Sequence, residues 1–261
     1  MNQEIPKIKE WINKNGYPLE MYTSRIFKNN GFNVAQSLYY KDISTEKYRE
    51  IDILAHKNNI VNNVSINISF VIECKKSVKP WIIFVDNNLA NIKYKKNQIF
   101  GSRNAQLLFD KIKRSQIKSE LIEPEITTCG YNIAIAHNDK SDAAYSATQS
   151  ILSSCNFLIN ESNKSDKAFL NIYFPIVVVD TKLYISYLND SLEISVDQVN
   201  SFKMYNSKSF NDDFLNIINI VTKDELEDYV KKISKEIVDF YINYNDEINL
   251  ITNNHPKNSI Q

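Results

Sequence analysis

The sequence predicts an α/β fold in which a mixed central sheet is flanked by helices, and three features of its 261 residues carry that expectation. Apolar residues near the N-terminus recur at helical spacing, the three segments that follow alternate apolar and polar residues as strands do, and strand-like and helix-like stretches then alternate along the chain. A composition of 43% hydrophobic and 24% charged residues supplies a core. No apolar run approaches the roughly 20 residues that span a bilayer, and the longest, Tyr173 to Val179, has the length of a buried strand. The opening MNQEIPKIKEWINK has no apolar signal core, so a cytoplasmic protein without membrane contact is expected.

Taken in order, Ile5 to Lys14 reads as a helix stopped by Asn15-Gly16, and Pro18 suits the first turn of a second helix reaching about Asn30. Leu19, Tyr22, Ile26 and Phe27 fall on one face of it, and Gly31 suits its C-terminal cap. Phe32 to Tyr40, Tyr48 to His56 and Val64 to Lys75 read as three strands, the second with alternating Ile51 and Ile53, the third with Ile66, Ile68, Phe70 and Ile72 on one side. The linkers Lys41 to Lys47 and Lys57 to Asn63 are short and polar, as hairpin loops are. Pro80 to Phe84 extends the sheet or lines its edge, and Ala105 to Lys118 reads as an amphipathic helix burying Leu107, Leu108 and Ile112.

Further on, Tyr131 to Ala136 reads as a strand and Asp142 to Phe157 as a helix. Ile172 to Val179 and Lys182 to Leu188 read as a hairpin turning at Asp180-Thr181. Leu192 to Met204 carries another strand and Ile217 to Val221 one more; Lys223 to Tyr244 is a closing helix with Thr222 as N-cap and Glu225 as its capping-box partner. The chain divides as a core over 1–118, a continuation of the sheet or an appended α/β lobe over 119–250 (unless the two form a single domain), and a polar, frayed tail over 251–261.

Several function classes are excluded early. With four glycines there is no Gly-rich phosphate loop, and Cys74, Cys129 and Cys155 are too far apart for a C-x-x-C metal or redox site. His56, His137 and His255 are scattered, so any metal must be held by carboxylates. Formal net charge is zero, yet from Ala90 to Lys118 eight basic residues, including Lys93, Lys95, Lys96 and Arg103, face a single acid, Asp110.

The informative segment is Glu20, then Asp52 in REIDILA, then Glu73-Cys74-Lys75 in FVIECKKS. Asp52 sits between isoleucines mid-strand, and Glu73 and Lys75 end a strongly apolar strand, where charges are costly unless paired or bound to a metal. Strand alternation puts Glu73 and Lys75 on one face and Cys74 on the other. Two carboxylates and the Cys74 backbone carbonyl are hard oxygen donors suited to Mg²⁺ or Mn²⁺, with Glu20 as a further ligand directly or through water. On the same face, the Lys75 ammonium can position an attacking water or stabilise charge on a phosphate.

Glu, Asp and Glu-x-Lys, borne in that order by helix, strand and strand, resemble the PD-(D/E)XK nuclease superfamily over about Tyr17 to Lys118. The resemblance implies a restriction-endonuclease-like αβββαβ core with a C-terminal α/β extension. It implies Asp52 and Glu73 as metal ligands, Lys75 as the catalytic lysine and Glu20 as the helix glutamate. Ile51 replaces the proline before the aspartate. The implied activity is Mg²⁺-dependent hydrolysis of nucleic acid, with DNA favoured over RNA, and the basic block with Lys76 would bind phosphates. By analogy, the protein works as a homodimer or within a multi-protein antiviral or restriction complex.

Plainer readings stand beside these. Asp52 can form a buried salt bridge with Arg49 or Lys75, Glu73 and Lys75 can mark a solvated strand end, Glu20 can complement a helix dipole, and the lysines after Lys93 can line a solvated helix face. Trp81 suits packing better than base stacking, and Tyr39 and Tyr40 either pack or line a cleft. Of whole-protein alternatives, a catalytically silent module binding nucleic acid or a partner protein has no chemical need for all four charged positions. A phosphatase using the same carboxylates fits the basic block less well.

Overall fold

A computed structural model describes residues 4–42, 45–86, 96–115, 119–122, 128–138, 142–164, 169–206 and 214–253. Two helices open it, α1 (Glu4–Lys14) and α2 (Tyr17–Asn29), separated by Gly16, whose φ of 80° is the left-handed turn that a residue with a Cβ resists. The chain then makes β1 (Asn33–Lys41), β2 (Tyr48–Val61) and β3 (Val64–Lys76), an antiparallel meander. The second hairpin closes on Asn62 and Asn63, both at positive φ, as a two-residue turn matching the strand twist requires. Both strands therefore run to that turn, and the predicted loop from Lys57 is mostly strand.

After β4 (Trp81–Asp86), β5 (Lys96–Gln98), β6 (Phe100–Gly101), α3 (Arg103–Ile112), β7 (Cys129–Ile135) and α4 (Ala143–Asn163) comes β8 (Phe169–Asp180), which makes the longer of the two β3 ladders. The two run parallel in register from Ser65↔Phe169 to Lys76↔Asp180. The chain ends with β9 (Leu183–Leu188), β10 (Ile194–Val199), β11 (Ser201–Asn206), β12 (Phe214–Thr222), α5 (Leu226–Asn243) and α6 (Asn245–Asn253). All twelve described strands form one mixed sheet, ordered β1-β2-β3-β8-β12-β11-β7-β4-β9-β10, with β5 beside β12 and β6 beside β8. Segments on both sides of residue 118 thus share it. Only Asn200 separates β10, at the far edge, from β11, four places inside, so this half of the sheet must coil back on itself.

Two apolar layers cover the sheet. One packs Leu19, Ile26 and Phe27 of α2, with α3, α5 and α6, onto Ile66, Ile68, Phe70 and Ile72; the other packs Ala147, Ile151 and Cys155 of α4 with Trp81, Ile83 and Val177. Asp142 caps α4 by accepting from the Ala144 and Tyr145 N–H groups, and that helix runs six residues beyond its predicted end at Phe157. No helix among the described residues is long and apolar enough to cross a membrane.

Four local expectations change. Ile172–Val179 and Lys182–Leu188 are not a hairpin: β8 already has β3 and β12 beside it, so β9 passes on to pair with β4 and β10. Leu192–Met204 breaks at Asn200 into two strands with different partners. Thr222 is the last residue of β12 rather than a helix cap; a turn through 222–225 precedes α5, whose N-cap Glu225 makes no side-chain cap bond. Leu107 is exposed while Ala105, Leu108, Phe109 and Ile112 form the buried face of α3. Residues 116–118, where that helix was expected to end, lie outside the described residues, as do 254–261 of the tail.

Candidate active site at the parting of two strands

The β2–β3 ladder stops at Ile53↔Ile72, one residue short of Asp52 and Glu73. On the other side of β2, Ser37 lies opposite Asp52 in the β1 register and takes a φ of 56°, a left-handed conformation unusual within a strand. Side-chain alternation along β2 also fails there. Ile53 packs in the α2 layer and Ile51, two residues before it, in the α4 layer, so the two isoleucines expected on one side are split across the sheet. β2 peels away from β3 at Asp52, and the charged residues fill the opening.

What replaces the ladder is a side-chain bond: the Cys74 N–H donates to Asp52 Oδ2 at 2.7 Å. In an extended strand the N–H and C=O of one residue point the same way, so the Cys74 carbonyl faces the gap that holds Asp52. Glu73, only 6% exposed, accepts from Lys75 Nζ at 2.5 Å and from Ser150 Oγ of α4 at 3.4 Å. Cys74 points away, its Sγ 3.8 Å from Thr23 Oγ1 on α2. Arg49 pairs with Asp42 at 2.6 Å, which removes it as the salt-bridge partner of Asp52.

The electrostatics are crowded. Burial, then the neighbouring Asp52 charge, pushes the Glu73 carboxyl above its usual range against the pull of Lys75. Burial also raises Asp52, opposed by the Cys74 N–H and Lys75 and reinforced by Glu50. Glu20, half-buried on α2, is raised by burial and by the charges of Asp52 and Glu50. Burial pulls Lys75 down, but Glu73 and Asp52 outweigh it and hold the ammonium above its ordinary value. The structure thus brings Glu20, Asp52, Glu73 and Lys75 together.

The basic block lies only partly within the described residues. Lys93 and Lys95 lie outside the described residues, as does the Lys96 side chain, and the Lys96 backbone pairs with Phe214 at the start of β12. Arg103 follows Gly101, which sits opposite Ile172, five residues down β8 from Val177, the partner of Glu73; at about 3.3 Å per residue that is roughly 17 Å from the cleft. Lys76 is nearer, but its Nζ donates to the Asn13 carbonyl at the end of α1. Trp81 is core, Tyr40 is buried against Phe157, and Tyr39 is exposed.

Three site groups escaped the sequence reading. Ser150 is 77 residues from Glu73 and carries no local signal. Glu50, two residues before Asp52, was legible as a second acid in REIDILA. Lys223 is brought to the same end of the sheet by β12, with its Nζ 3.6 Å from Asp180, the residue opposite Lys76.

Among the described residues no three or more His, Cys, Asp or Glu side chains form a ready cation cage. The oxygen donors at the parting nevertheless suit a hard cation. Mg²⁺ commonly takes one or two carboxylates and keeps water and substrate for the rest, and a cation would offset the burial and the like charge that raise both acids. Compared with family models, with curated proteins and with solved structures, the chain matches none.

Proposed function

We propose that the cleft is the active site of a Mg²⁺- or Mn²⁺-dependent nuclease that hydrolyses DNA phosphodiesters. The observation that carries this reading is the convergence of Asp52, Glu73 and Lys75 where β2 leaves β3, with Glu20 on α2 close enough to feel the Asp52 and Lys75 charges. A restriction-endonuclease-like core fits the same elements: α2, the β1–β2–β3 meander, a crossover containing helices, and β8 parallel to β3. In that reading the last core strand is β8, supplied from beyond residue 118.

Asp52, Glu73 and the Cys74 carbonyl would hold the metal, with Glu20 behind them. When bound, the ion neutralises charge building on the phosphate and acidifies a water. Lys75, paired with Glu73 at 2.5 Å, would offer its ammonium to the water and the phosphate oxygens. Ser150 fixes the Glu73 carboxylate from α4. Water oxygen bonds to phosphorus, the bond to one ester oxygen breaks, and that oxygen leaves with a proton as an alcohol.

Cleavage of supercoiled plasmid and of single-stranded DNA with Mg²⁺, Mn²⁺, Ca²⁺ or EDTA tests this. Cutting is expected with Mg²⁺ or Mn²⁺ alone, and Asp52→Ala and Lys75→Ala are each expected to lower it by about 10²-fold or more. Cutting that persists in both variants would sink the assignment. No cutting in any lane, together with no Asp52-dependent Mn²⁺ binding by calorimetry, would favour a silent binding module.

A further inference from the structure

Helix α1 buries none of its residues. Ile8 is 48% exposed and Trp11 57% exposed, and the ring of Trp11 lies 5.7 Å from that of Tyr17, itself 46% exposed at the start of α2. Two aromatic faces left in solvent beside each other are costly in a chain with a well-filled core, and their position is specific. Tyr17 and Glu20 are three apart on one helix and therefore surface neighbours. The Lys76 ammonium holds the end of α1 through the Asn13 carbonyl, one residue beyond Lys75. The rings thus lie one turn before Glu20, the α2 residue close enough to feel the Asp52 and Lys75 charges.

The surroundings select the occupant. On α1, Lys7 and Lys14 lie four before and three after Trp11, Lys14 pairing with Glu10 at 2.7 Å, and Lys76 holds the same end of the helix. An exposed ring with lysines before and after it, next to the helix that carries Glu20, matches an unpaired nucleotide, whose base stacks while its phosphate meets ammonium groups. A rigid duplex keeps its base faces covered. We propose that Trp11 and Tyr17 form a stacking platform for unpaired bases, making single-stranded DNA the substrate class that enters the cleft. This rests on the nuclease reading for its catalytic part alone.

The test uses the full chain in EDTA, so binding is read apart from cleavage. The chain has two tryptophans, and Trp81 is 1% exposed, so an oligothymidylate titration should quench only Trp11 emission, and Trp11→Phe should abolish the quench. By anisotropy of the labelled oligonucleotide, Trp11→Ala and Tyr17→Ala should each weaken single-strand binding by about tenfold and leave duplex binding unchanged. Both side chains are exposed, so the variants should keep the wild-type melting temperature. Unchanged single-strand binding in both variants would overturn the platform. So would Trp11 emission that ignores the oligonucleotide but responds to protein concentration or to anionic vesicles, which would assign the face to a second copy or a lipid surface. If wild type cuts in Mg²⁺ and the variants bind and cut equally well, the platform falls and the nuclease stands. If quenching occurs and no divalent ion supports cutting, the platform stands and the nuclease falls.

Discussion

From its second to its ninth residue β3 is paired on both sides, and at its end it is paired on one. From Ser65 to Ile72 it bonds with β2 and β8 together, and Ile66, Ile68, Phe70 and Ile72 are at most 1% exposed. One residue further β2 has left, and Glu73, Lys75 and Asp52 occupy ground that apolar side chains would fill more stably. The paired half can carry the burden because its ladder and its layers are complete. The open end keeps carboxylates above their ordinary range, a condition that burial and like charge impose and that a bound cation would relieve. The complete ladder and the buried charges are thus placed at opposite ends of one strand.

Damage to the paired half should produce the largest stability effect. Phe70 stacks on Phe174 at 5.4 Å and meets Phe27 and Phe32, so Phe70→Ala leaves a cavity among rings already packed. A loss of about 3–5 kcal/mol is expected, read as a lower urea midpoint at unchanged slope. A loss below about 1 kcal/mol would show that the aromatic cluster collapses freely and is not what fastens the strand.

At the open end the sign should reverse. Asp52→Asn keeps an oxygen to accept the Cys74 N–H but removes a charge that raises both Glu20 and Glu73. In EDTA at neutral pH this variant should gain about 1 kcal/mol while losing cleavage, the trade between stability and activity that functional sites show. A destabilised variant would make Asp52 a structural anion held by Lys75, and the contrast between the two halves would dissolve.

Legibility in the sequence followed the same division. The meander, its apolar face and both N-terminal helices were readable because alternation and helical spacing are local signals. Asp52, Glu73 and Lys75 were readable because charge inside an apolar strand is anomalous, whereas Glu20, on a helix, stood out only by its place before them. Partner choice was not readable. Asp180-Thr181 has the composition of a hairpin turn, yet β8 finds β3 and β12 instead, and its pairing with β3 joins segments about a hundred residues apart. The departure of β2 at Asp52 left one trace, the acid itself, while the positive φ of Ser37 opposite it had no sequence mark. Arg103 of the basic stretch lies down the sheet from the cleft, because local charge says nothing of where the chain will lie.

The smallest effect tests how dry the paired half is. His56 sits on β2 opposite Ser69 of β3, and burial pulls its imidazole below the ordinary value of 6.5. A folded value below the unfolded one means that the unfolded chain binds more protons in acid, so this contribution is intact above the unfolded pKa and is lost as pH falls toward the folded one. Between about pH 7.5 and about pH 5.5, wild type should therefore lose more stability than His56→Gln, by less than about 1 kcal/mol in urea midpoints converted to free energy. Equal losses in the two proteins would mean that water reaches His56 in the folded chain. The seam between β2 and β3 would then be open well before the point where their ladder ends, and the boundary between fastening half and reactive end would have to move toward the hairpin.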